Sequence, residues 1–588
     1  MGRYAGAHQG DRSVTVKPLL ISLALLSAAS PVLAAQDGGA STPAKWTSQL
    51  GPNAKAGYQD IFAAIKASRW ADAQAKLAAM PDGPLHAVAF AELYLAKGSP
   101  VVDGATLAAL AEKARDLPQA RKLATIALGR GTAASLSLPT QQELYWLGTA
   151  PRRGKVACSD MKGLPLAGRI APLIKNDQPN EAEALLDSNS AGLSAETLTE
   201  WRHRIAWTYY LTGDDPAARR LAAVAAQGAG DFAAQADWVA GLAAWRQRDY
   251  SAASVSFETA SRRLGDTEMV AAAQFWGARA DMAAGKPEHV DAKLKAAARH
   301  PETFYGLLSL NRLGLKAKPA EYPNSVAVEK LPNVRAALAL AEIGEIDLAD
   351  EVIRHQARIG RAQDHATLAS LAGRMDLPGT QLWLSQNGPS GAQASVSARY
   401  PAPQNWKPTG GWRVDRSLVY AHALQESRFR VNATSPVGAR GLMQVRPGTA
   451  NDIARARGES GAGPLGNPTV NLEYGQSYIE SIRDRSETGG MLPKVIAAYN
   501  AGPRPVGEWN AQTRDSGDPL LYIESIPYWE TRAYVATVMR NYWMYQLQAG
   551  EKMNSLAALS QGMWPRFPGL PGATAVRLDR VSGVQSAD

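Results

Sequence analysis

Apolar residues recur at helical spacing through most of the chain, from about residue 45 to about residue 380. Alanine and leucine dominate this stretch, and few runs show the alternating pattern of a strand. Short breakers interrupt it, namely "PDGP" at 81–84, "GDDP" at 213–216 and "AGKPE" at 284–288. The pattern therefore predicts a series of helices joined by tight turns.

A weak repeat runs through these helices. Each copy has a turn, then a packing residue, then an alanine three positions further on, and the pairs are Trp70/Ala73, Pro179/Ala182, Tyr250/Ala253 and Ile346/Ala349. Turns near Gly213, Arg248 and Gly285 are separated by 35 and then 37 residues. A period in the mid-thirties with a small residue at a fixed offset is typical of tetratricopeptide-like helix pairs. We expect an irregular α-solenoid, and the alternative is a helical bundle with coincidental turns.

The composition changes near residue 385. The segment 385–412 is rich in Ser, Gly, Pro and Asn, as a linker or an extended connection is. A second compact unit is predicted from about 400 to 555. The last stretch, 566–588, has turn-forming residues but little periodicity, so we expect an extended or mobile tail.

The first 36 residues have the pattern of an export signal. Basic residues precede an apolar run, and the small residues Ala34 and Ala35 follow it. The strongly apolar part, Leu19–Leu33, is shorter than the roughly 20 residues that a membrane span needs. This favours a cleaved signal peptide over a membrane anchor. The single cysteine, Cys158, cannot form an internal disulfide.

The charge balance favours an acidic partner. Lys and Arg number 63 against 54 Asp and Glu, which gives a net charge of +9 and a pI near 9.4. No cluster of Lys and Arg is interleaved with aromatic residues, so an anionic polymer or membrane surface is favoured over nucleic acid. The sequence has neither a Gly-rich phosphate loop nor a metal-type Cys/His cluster. We therefore expect no cofactor and no metal ion.

One acidic residue stands out at the end of an apolar helix. In "LVYAHALQE", residues 418–426, six of the nine residues are apolar, so the helix is predicted to be buried with Glu426 at its C-terminal end. Burial and the helix C-terminus both disfavour a carboxylate and raise its pKa. Glu426 is therefore a candidate general acid. The alternatives are an ion pair with Arg428 or Arg430, or a solvent-facing side chain.

Three later segments contain residue types that suit a carbohydrate. Turns near Gly438 and Gly441 can bring Gln444 back toward Glu426. The helix in "VIAAYNAGPRPV", 495–506, presents Tyr499 and Asn500 at its end, and an aromatic helix follows in 521–546. Rings stack on sugar faces, while amides and hydroxyls pair with sugar hydroxyls. Each segment has a structural alternative: a core position for Tyr499, a backbone-capping amide for Gln444, and a salt bridge between Glu530 and Arg532 or another base.

Taken together, these motifs resemble a known family. The pair Glu426-Ser427, "GLMQ" at 441–444, "AYNAG" at 498–502 and "ESIPYWETRAYV" at 524–535 occur in this order. The set resembles the catalytic domain of soluble lytic transglycosylases, whose fold is similar to goose-type lysozyme. The resemblance implies an all-α protein with an α-superhelical solenoid or ring and a mainly helical lysozyme-like catalytic domain.

The resemblance also implies a domain order. We predict a signal peptide at 1–35, the α-superhelical domain at 45–330, and a helical linker domain with its connection at 331–400. The catalytic domain is predicted at 401–555 and a C-terminal tail at 556–588. The large members of this family are periplasmic, so we expect a periplasmic protein. We expect a monomer whose solenoid offers a surface to other cell-wall proteins.

Site residues follow from the same resemblance. It implies that Glu426 is the catalytic acid and base and that peptidoglycan is the substrate. The residues it places at the bound glycan are Ser427, Ser435, Gly441, Met443, Gln444, Tyr499, Asn500 and Glu530. Arg446 is added as a departure, because this position often carries Met in the family.

The reaction that the resemblance implies needs one carboxylic acid. Most glycosidases use two, yet no second acid stands at an obvious partner position here: Asp415 precedes the helix, and Asp452, Glu459 and Glu473 follow it. The implied reaction cleaves the MurNAc–GlcNAc bond without water and forms 1,6-anhydromuramic acid. The alternatives are a hydrolytic muramidase and a non-catalytic periplasmic scaffold that binds glycan.

Overall fold

Helices account for nearly all the regular structure in the computed structural model, which describes residues 46–132, 136–156, 164–318, 327–393 and 395–578. The predicted signal peptide and Cys158 lie outside these residues. The first five helices are α1 (Pro52–Lys66), α2 (Trp70–Ala79), α3 (His86–Leu95), α4 (Gly104–Lys113) and α5 (Ala120–Gly129). The next nine are α6 (Leu164–Lys175), α7 (Pro179–Ser188), α8 (Ala195–Thr212), α9 (Asp215–Ala226), α10 (Asp231–Arg246), α11 (Tyr250–Arg263), α12 (Thr267–Ala283), α13 (Val290–Ala298) and α14 (Phe304–Arg312).

The rest of the described chain is also mainly helical. Four helices follow: α15 (Pro332–Ile343), α16 (Ile346–Ile359), α17 (His365–Arg374) and α18 (Pro378–Gln386). The last eight are α19 (Arg416–Ser427), α20 (Pro447–Ala456), α21 (Pro468–Arg483), α22 (Leu492–Ala501), α23 (Pro503–Gln512), α24 (Pro519–Glu524), α25 (Trp529–Ala549) and α26 (Asn554–Ser560). Short 3-10 turns lie at Pro287–His289, Val328–Lys330, Ala362–Asp364 and Ser397–Arg399. Two short antiparallel pairs join β1 (Tyr145–Trp146) to β2 (Asn387–Gly388) and β3 (Trp564–Pro565) to β4 (Ala575–Val576).

The predicted repeat coincides with helix starts. Helices α2, α7, α11 and α16 begin at the packing residue of each pair. The four alanines three positions on, Ala73, Ala182, Ala253 and Ala349, are all fully buried. A left-handed residue lies two positions before each start, at Ser68, Asp177, Arg248 and Gly344. Each left-handed residue turns the chain sharply, and each small alanine lets two helices approach closely, so the predicted helical repeat is confirmed.

Helices far apart in sequence close the first part of the fold. Residues of α1–α3 share one hydrophobic core with α15–α18. The backbone N–H groups of Gln49 and Leu50 donate to the Glu342 carboxylate on α15, at 2.6 and 3.2 Å. Lys66 pairs with Glu345 at 2.6 Å. The two ends of this superhelical stretch are therefore joined directly.

Helices α6–α14 share a continuous core with α19–α26. Phe304 on α14 stacks on Trp543 of α25, with ring centroids 5.1 Å apart. The Tyr210 hydroxyl lies 2.8 Å from the Ser525 hydroxyl. The superhelix thus supports α25, which also packs against α19 and α22.

A buried ion pair fixes the same junction. Arg153 donates in bidentate fashion to the carboxylate of Glu524, with Nη1 2.7 Å from Oε2. The Tyr305 hydroxyl donates to Glu524 at 2.6 Å. Arg153 and Tyr305 hold the pKa of Glu524 below its ordinary value despite complete burial. Because Arg153 lies 371 residues before Glu524, this pair joins distant parts of the chain.

The segment after α26 is more ordered than the sequence predicts. Trp564 and Phe567 are buried, and the Trp564 indole N–H donates to the Gly517 carbonyl at 2.7 Å. The prediction of an extended or mobile tail is therefore wrong for the part described up to residue 578. Two aromatic anchors hold this segment, and isolated anchors leave no periodic signal in a sequence. No helix in the described ranges is long and apolar enough to cross a membrane.

Candidate active site

Helix α19 places Glu426 as the sequence predicts. The helix begins after Asp415, whose carboxylate accepts from the Ser417 backbone N–H at 2.8 Å. It ends at Ser427, and the next residue, Arg428, is left-handed with φ 53°. The turns before Glu426 are buried, while Glu426 itself is half-buried in the last turn. Among the described residues no cation forms an ion pair with Glu426, and Arg430 donates to the Ser427 carbonyl instead.

Two residues from α25 act on the Glu426 carboxylate. The Tyr534 hydroxyl donates to Glu426 Oε1 at 2.6 Å. Burial raises the pKa of Glu426 to about 7, the hydrogen bond from Tyr534 lowers it in part, and the charge of Glu530 raises it further. A carboxyl group with this pKa can both give and take a proton near neutral pH.

A second hydrogen bond reaches Tyr534 from α19. The Nδ1 atom of His422 lies 2.8 Å from the Tyr534 hydroxyl. The His422 side chain is fully buried, and burial lowers its pKa to about 3. His422 is therefore neutral at physiological pH. One turn of helix separates it from Glu426, so both side chains face Tyr534.

Tyr499 on α22 links the acid to the loop that follows it. Its ring lies 4.4 Å from the His422 ring, centroid to centroid. Its hydroxyl donates to the Met443 carbonyl at 2.8 Å. Burial and the Glu426 charge raise the pKa of Tyr499 well above its ordinary value. Tyr499 is thus half-buried beside Glu426 and holds the loop with its hydroxyl.

The loop between α19 and α20 folds around one buried amide. Asn471 on α21 accepts from the Met443 N–H at 2.8 Å and donates to the Arg440 and Leu465 carbonyls, each at 2.9 Å. Gly441 is left-handed, with φ 75°, and a Cβ there would lie only 2.2 Å from the Asn471 amide nitrogen. Only glycine allows this close approach.

The structure brings several of the predicted residues to this loop and its neighbours. Gln444 donates to the Gly441 carbonyl at 2.9 Å and to the Ala433 carbonyl at 3.2 Å. Its NH2 group is therefore a backbone cap, which was the structural alternative for this residue. The Ser435 hydroxyl accepts from the Ala439 N–H at 3.0 Å and closes a turn in the same loop.

The remaining polar residues lie on or near α25 and α20. The Thr531 hydroxyl donates to Asn500 Oδ1 at 2.6 Å, which ties the end of α22 to α25. Glu530 is exposed in the first turn of α25. The predicted alternative of a salt bridge to Arg532 does not form, because Arg532 is buried over the Trp207 ring. Arg446 is exposed at the N-cap of α20.

Two of the predicted glycan-binding side chains are in the core instead. Ser427 is buried, and its hydroxyl donates to the Ala423 carbonyl within α19. Met443 is fully buried and packs so closely on Gly475 that a Cβ at Gly475 would lie 2.1 Å from its sulfur. Their side chains therefore support the site from behind, and Met443 contributes its backbone carbonyl to Tyr499.

Three residues that build the site were not predicted from the sequence. Tyr534 stands four positions after Glu530, on the same face of α25, and His422 stands four positions before Glu426. The helical spacing of four was the available signal for both. Asn471 gave no such signal, since its partners lie in irregular loops. Two exposed aromatic side chains, Tyr528 and Trp529, lie immediately before Glu530.

Comparison with protein families decides the assignment of this part of the chain. Residues 406–521 match the family model "Transglycosylase SLT domain". The chain carries a transglycosylase SLT domain. The predicted resemblance is thereby confirmed, and the SLT domain contains Glu426, the loop that follows it and Tyr499.

Curated relatives match part of the chain. The soluble lytic murein transglycosylase of Escherichia coli K12 is 35% identical over 157 residues, which cover 26% of this chain and 24% of the relative. That of Salmonella typhimurium is 29% identical over 285 residues, covering 45% and 41%. The chain thus matches from about a quarter to two fifths of the length of these two relatives.

Solved structures show the same fold over most of the chain. A complex of a 70-kDa soluble lytic transglycosylase with bulgecin A gives a TM-score of 0.59 at 17% identity, covering 87% of this chain and 99% of that one. The 70-kDa enzyme of Escherichia coli gives 0.51 at 18% identity, with the same coverage. The predicted all-α fold, a superhelix followed by a lysozyme-like SLT domain, is confirmed.

Proposed function

We propose that this protein is a peptidoglycan lytic transglycosylase that cleaves the β-1,4 bond between MurNAc and GlcNAc. The SLT domain and the named relatives support the reaction class. The observation that carries the proposal is Glu426 itself, a desolvated acid with a pKa raised to about 7 and a hydrogen-bond donor at 2.6 Å. Such a group can act twice in one reaction, first as an acid and then as a base.

In the first step Glu426 gives its proton to the glycosidic oxygen. The bond from that oxygen to the MurNAc anomeric carbon breaks, and the N-acetyl oxygen of the same sugar attacks this carbon. The Glu426 carboxylate left behind accepts a hydrogen bond from Tyr534, which stabilises its charge. The leaving GlcNAc end departs as a neutral alcohol.

In the second step Glu426 takes a proton back. It removes the proton of the MurNAc C6 hydroxyl, whose oxygen bonds to the anomeric carbon and displaces the N-acetyl oxygen. The product is a 1,6-anhydromuramic acid end, and Glu426 is protonated again. The attack is intramolecular, so it gains from proximity and needs no water.

The surroundings of Glu426 suit a glycan. Tyr528 and Trp529 expose ring surface on which sugar faces can stack, and both stand at the start of α25 with Glu530. We propose that Asn500 and Gln444 line the same groove through polar atoms of their side chains. Arg446, exposed at the start of α20, adds a cation that suits an anionic polymer.

A hydrolytic muramidase is the second candidate, and Glu530 is the observation that favours it. Its charge raises the pKa of Glu426, and a two-carboxylate mechanism needs a second acid in the same site. Glu530 lies in the first turn of α25 and is exposed there. Under this alternative, water would form reducing ends.

Mass spectrometry of digested sacculi separates the two reactions. We expect anhydro-muropeptides from the wild-type protein, none from Glu426→Gln, and the same anhydro products from Glu530→Gln. Reducing-end products without anhydro forms would overturn the transglycosylase step. An active Glu426→Gln variant would overturn the assignment of the acid, and failure of the wild type to clear a cell-wall suspension would favour the scaffold alternative.

We further propose a periplasmic location, through the export signal predicted at 1–35, and action as a monomer. The superhelix, whose contact with α24 is fixed by Arg153 and Glu524, is proposed to present the SLT domain to glycan strands and to offer a surface to other cell-wall proteins. A fusion of residues 1–45 to a periplasm-dependent reporter tests the export step.

A further inference from the structure

With Glu426 ionised, the three side chains His422, Tyr534 and Glu426 form a hydrogen-bonded chain that has one consistent arrangement of protons. Tyr534 has a single hydroxyl proton, and it donates this proton to Glu426 at 2.6 Å. The contact of 2.8 Å between the same hydroxyl and His422 Nδ1 then requires the histidine to be the donor. When Glu426 is ionised, His422 therefore carries its proton on Nδ1.

The surroundings of the other ring nitrogen agree with this tautomer. His422 is neutral, because burial lowers its pKa to about 3, so it has one N–H group only. Its Nε2 atom is buried and has no hydrogen-bond partner among the described residues. Buried N–H groups without an acceptor are rarer in proteins than buried acceptors without a donor. An unprotonated Nε2 is therefore the better state for this site.

We propose that His422 is a positioning residue that fixes the direction of the Tyr534 hydroxyl and so sets the proton affinity of Glu426. This inference rests on the proposed function of Glu426 as acid and base. With Nδ1 protonated, His422 cannot accept from Tyr534, so the phenol proton is directed to Glu426. With the opposite tautomer, Tyr534 would donate to His422, and Glu426 would lose its donor.

The chain His422 to Tyr534 to Glu426 favours the charged form of Glu426. A hydroxyl that accepts one hydrogen bond becomes a stronger donor for the next. Other groups also face the acid: Glu530 and Tyr534 from α25 and Tyr499 from α22, with Tyr478 of α21 behind Tyr499. Among these neighbours, Tyr534 is the one whose hydroxyl donates to Glu426. The direction of the Tyr534 hydroxyl therefore affects the proton affinity of Glu426.

Two variants at this position separate positioning from packing. His422→Leu keeps a similar volume but removes the donor, while His422→Asn can place an amide N–H near the position of Nδ1. In the leucine variant we expect the high-pH limb of kcat to move upward by about half a unit to one unit, with kcat reduced roughly tenfold and KM little changed. We expect the asparagine variant to restore the limb toward its wild-type position.

Two results of the pH profiles would overturn the proposal. If His422 only fills space, both variants will lower kcat at every pH and leave the limb in place, and the proposal is overturned. A limb that moves to lower pH in the leucine variant overturns it as well, since the tautomer must then be reversed. If the leucine variant does not fold, the proposal is tested by comparing the asparagine variant with the wild type and by the NMR measurement described below.

The tautomer can be measured without any reaction. Nitrogen-15 NMR of the folded wild-type protein labelled at histidine reports which ring nitrogen carries the proton, and the His422 signals are assigned by their absence from His422→Asn. We expect a protonated Nδ1 and a bare Nε2 that persist from pH 5 to pH 8. A protonated Nε2 would overturn the positioning role even in an active enzyme. The expected tautomer in a protein without lytic activity would instead show that the proposed function had failed.

Discussion

Replacing Glu426 by glutamine should make the protein more stable at neutral and alkaline pH, although it removes the proposed catalytic acid. Glutamine keeps the shape of the protonated side chain, but it has no charge to bury. The pKa of Glu426 is raised from 4.5 to about 7 in the folded protein, mainly by burial. The wild type therefore has a cost of ionisation in the folded state that the variant lacks.

The size and sign of this cost follow from the two pKa values. Below pH 4.5 both folded and unfolded chains hold the proton, so the wild type has no penalty. As the pH rises toward 7, the unfolded chain ionises first and the folded state becomes relatively less stable. A difference of about 2.5 pKa units at about 1.4 kcal/mol per unit gives an upper value of about 3.5 kcal/mol above pH 7. Because the side chain is only half-buried, we expect about 1–3 kcal/mol.

Thermal unfolding at two pH values tests this reasoning. Each kcal/mol corresponds to roughly 2–4 °C in Tm for a domain of this size. We expect Glu426→Gln to raise Tm by several degrees at pH 8 and by little at pH 4.5. The matched control is Glu508→Gln, which removes an exposed carboxylate from the same domain. Equal Tm differences at both pH values, or a loss of stability at pH 8, would refute a desolvated Glu426.

Other substitutions test the loop and the junction. Asn471→Ala removes three hydrogen bonds from a fully buried side chain, so we expect a loss of about 3 kcal/mol or more in unfolding free energy, read as a lower Tm with weakened glycan binding. Gly441→Ala should lower the unfolding free energy more than Gly438→Ala. Both glycines are left-handed, but only a Cβ at Gly441 would clash with neighbouring atoms. Similar losses in the two variants would argue against this clash. Glu524→Gln leaves Arg153 buried without its counter-charge, so we expect about 3–5 kcal/mol of destabilisation. We also expect faster proteolysis between the superhelix and the C-terminal helices that carry the site. An unchanged Tm would contradict a buried ion pair.

The parts of the fold that repeat could be predicted from the sequence. Tyr250 and Ala253 mark a helix start and a buried helix contact because a local turn and one small residue decide both. The position of Glu426 at the end of a buried helix was equally predictable, since its helix is apolar on most sides. These features depend on neighbours within one or two turns of the same segment.

Features that depend on distant segments could not be predicted. Glu524 stands in a motif associated with the catalytic domain, yet its partner Arg153 comes from a stretch without any helical pattern. The sequence allowed Met443 to contact a glycan, but in the structure its side chain packs against Gly475 on another helix. Asn471 has partners in two irregular loops. A single sequence does not contain the pairing information that these contacts need.

The closure of the superhelix has a consequence for folding kinetics. Helices α8–α12 contact their immediate neighbours in the chain, so their pairing is local and fast. The contact of Gln49 with Glu342 joins residues 293 positions apart, and the loss of chain entropy delays such a contact until the intervening helices have formed. The seam between α1–α3 and α15–α18 should therefore form late in refolding. Until then the apolar faces of α1–α3 remain open to water, and the partly folded chain is prone to self-association.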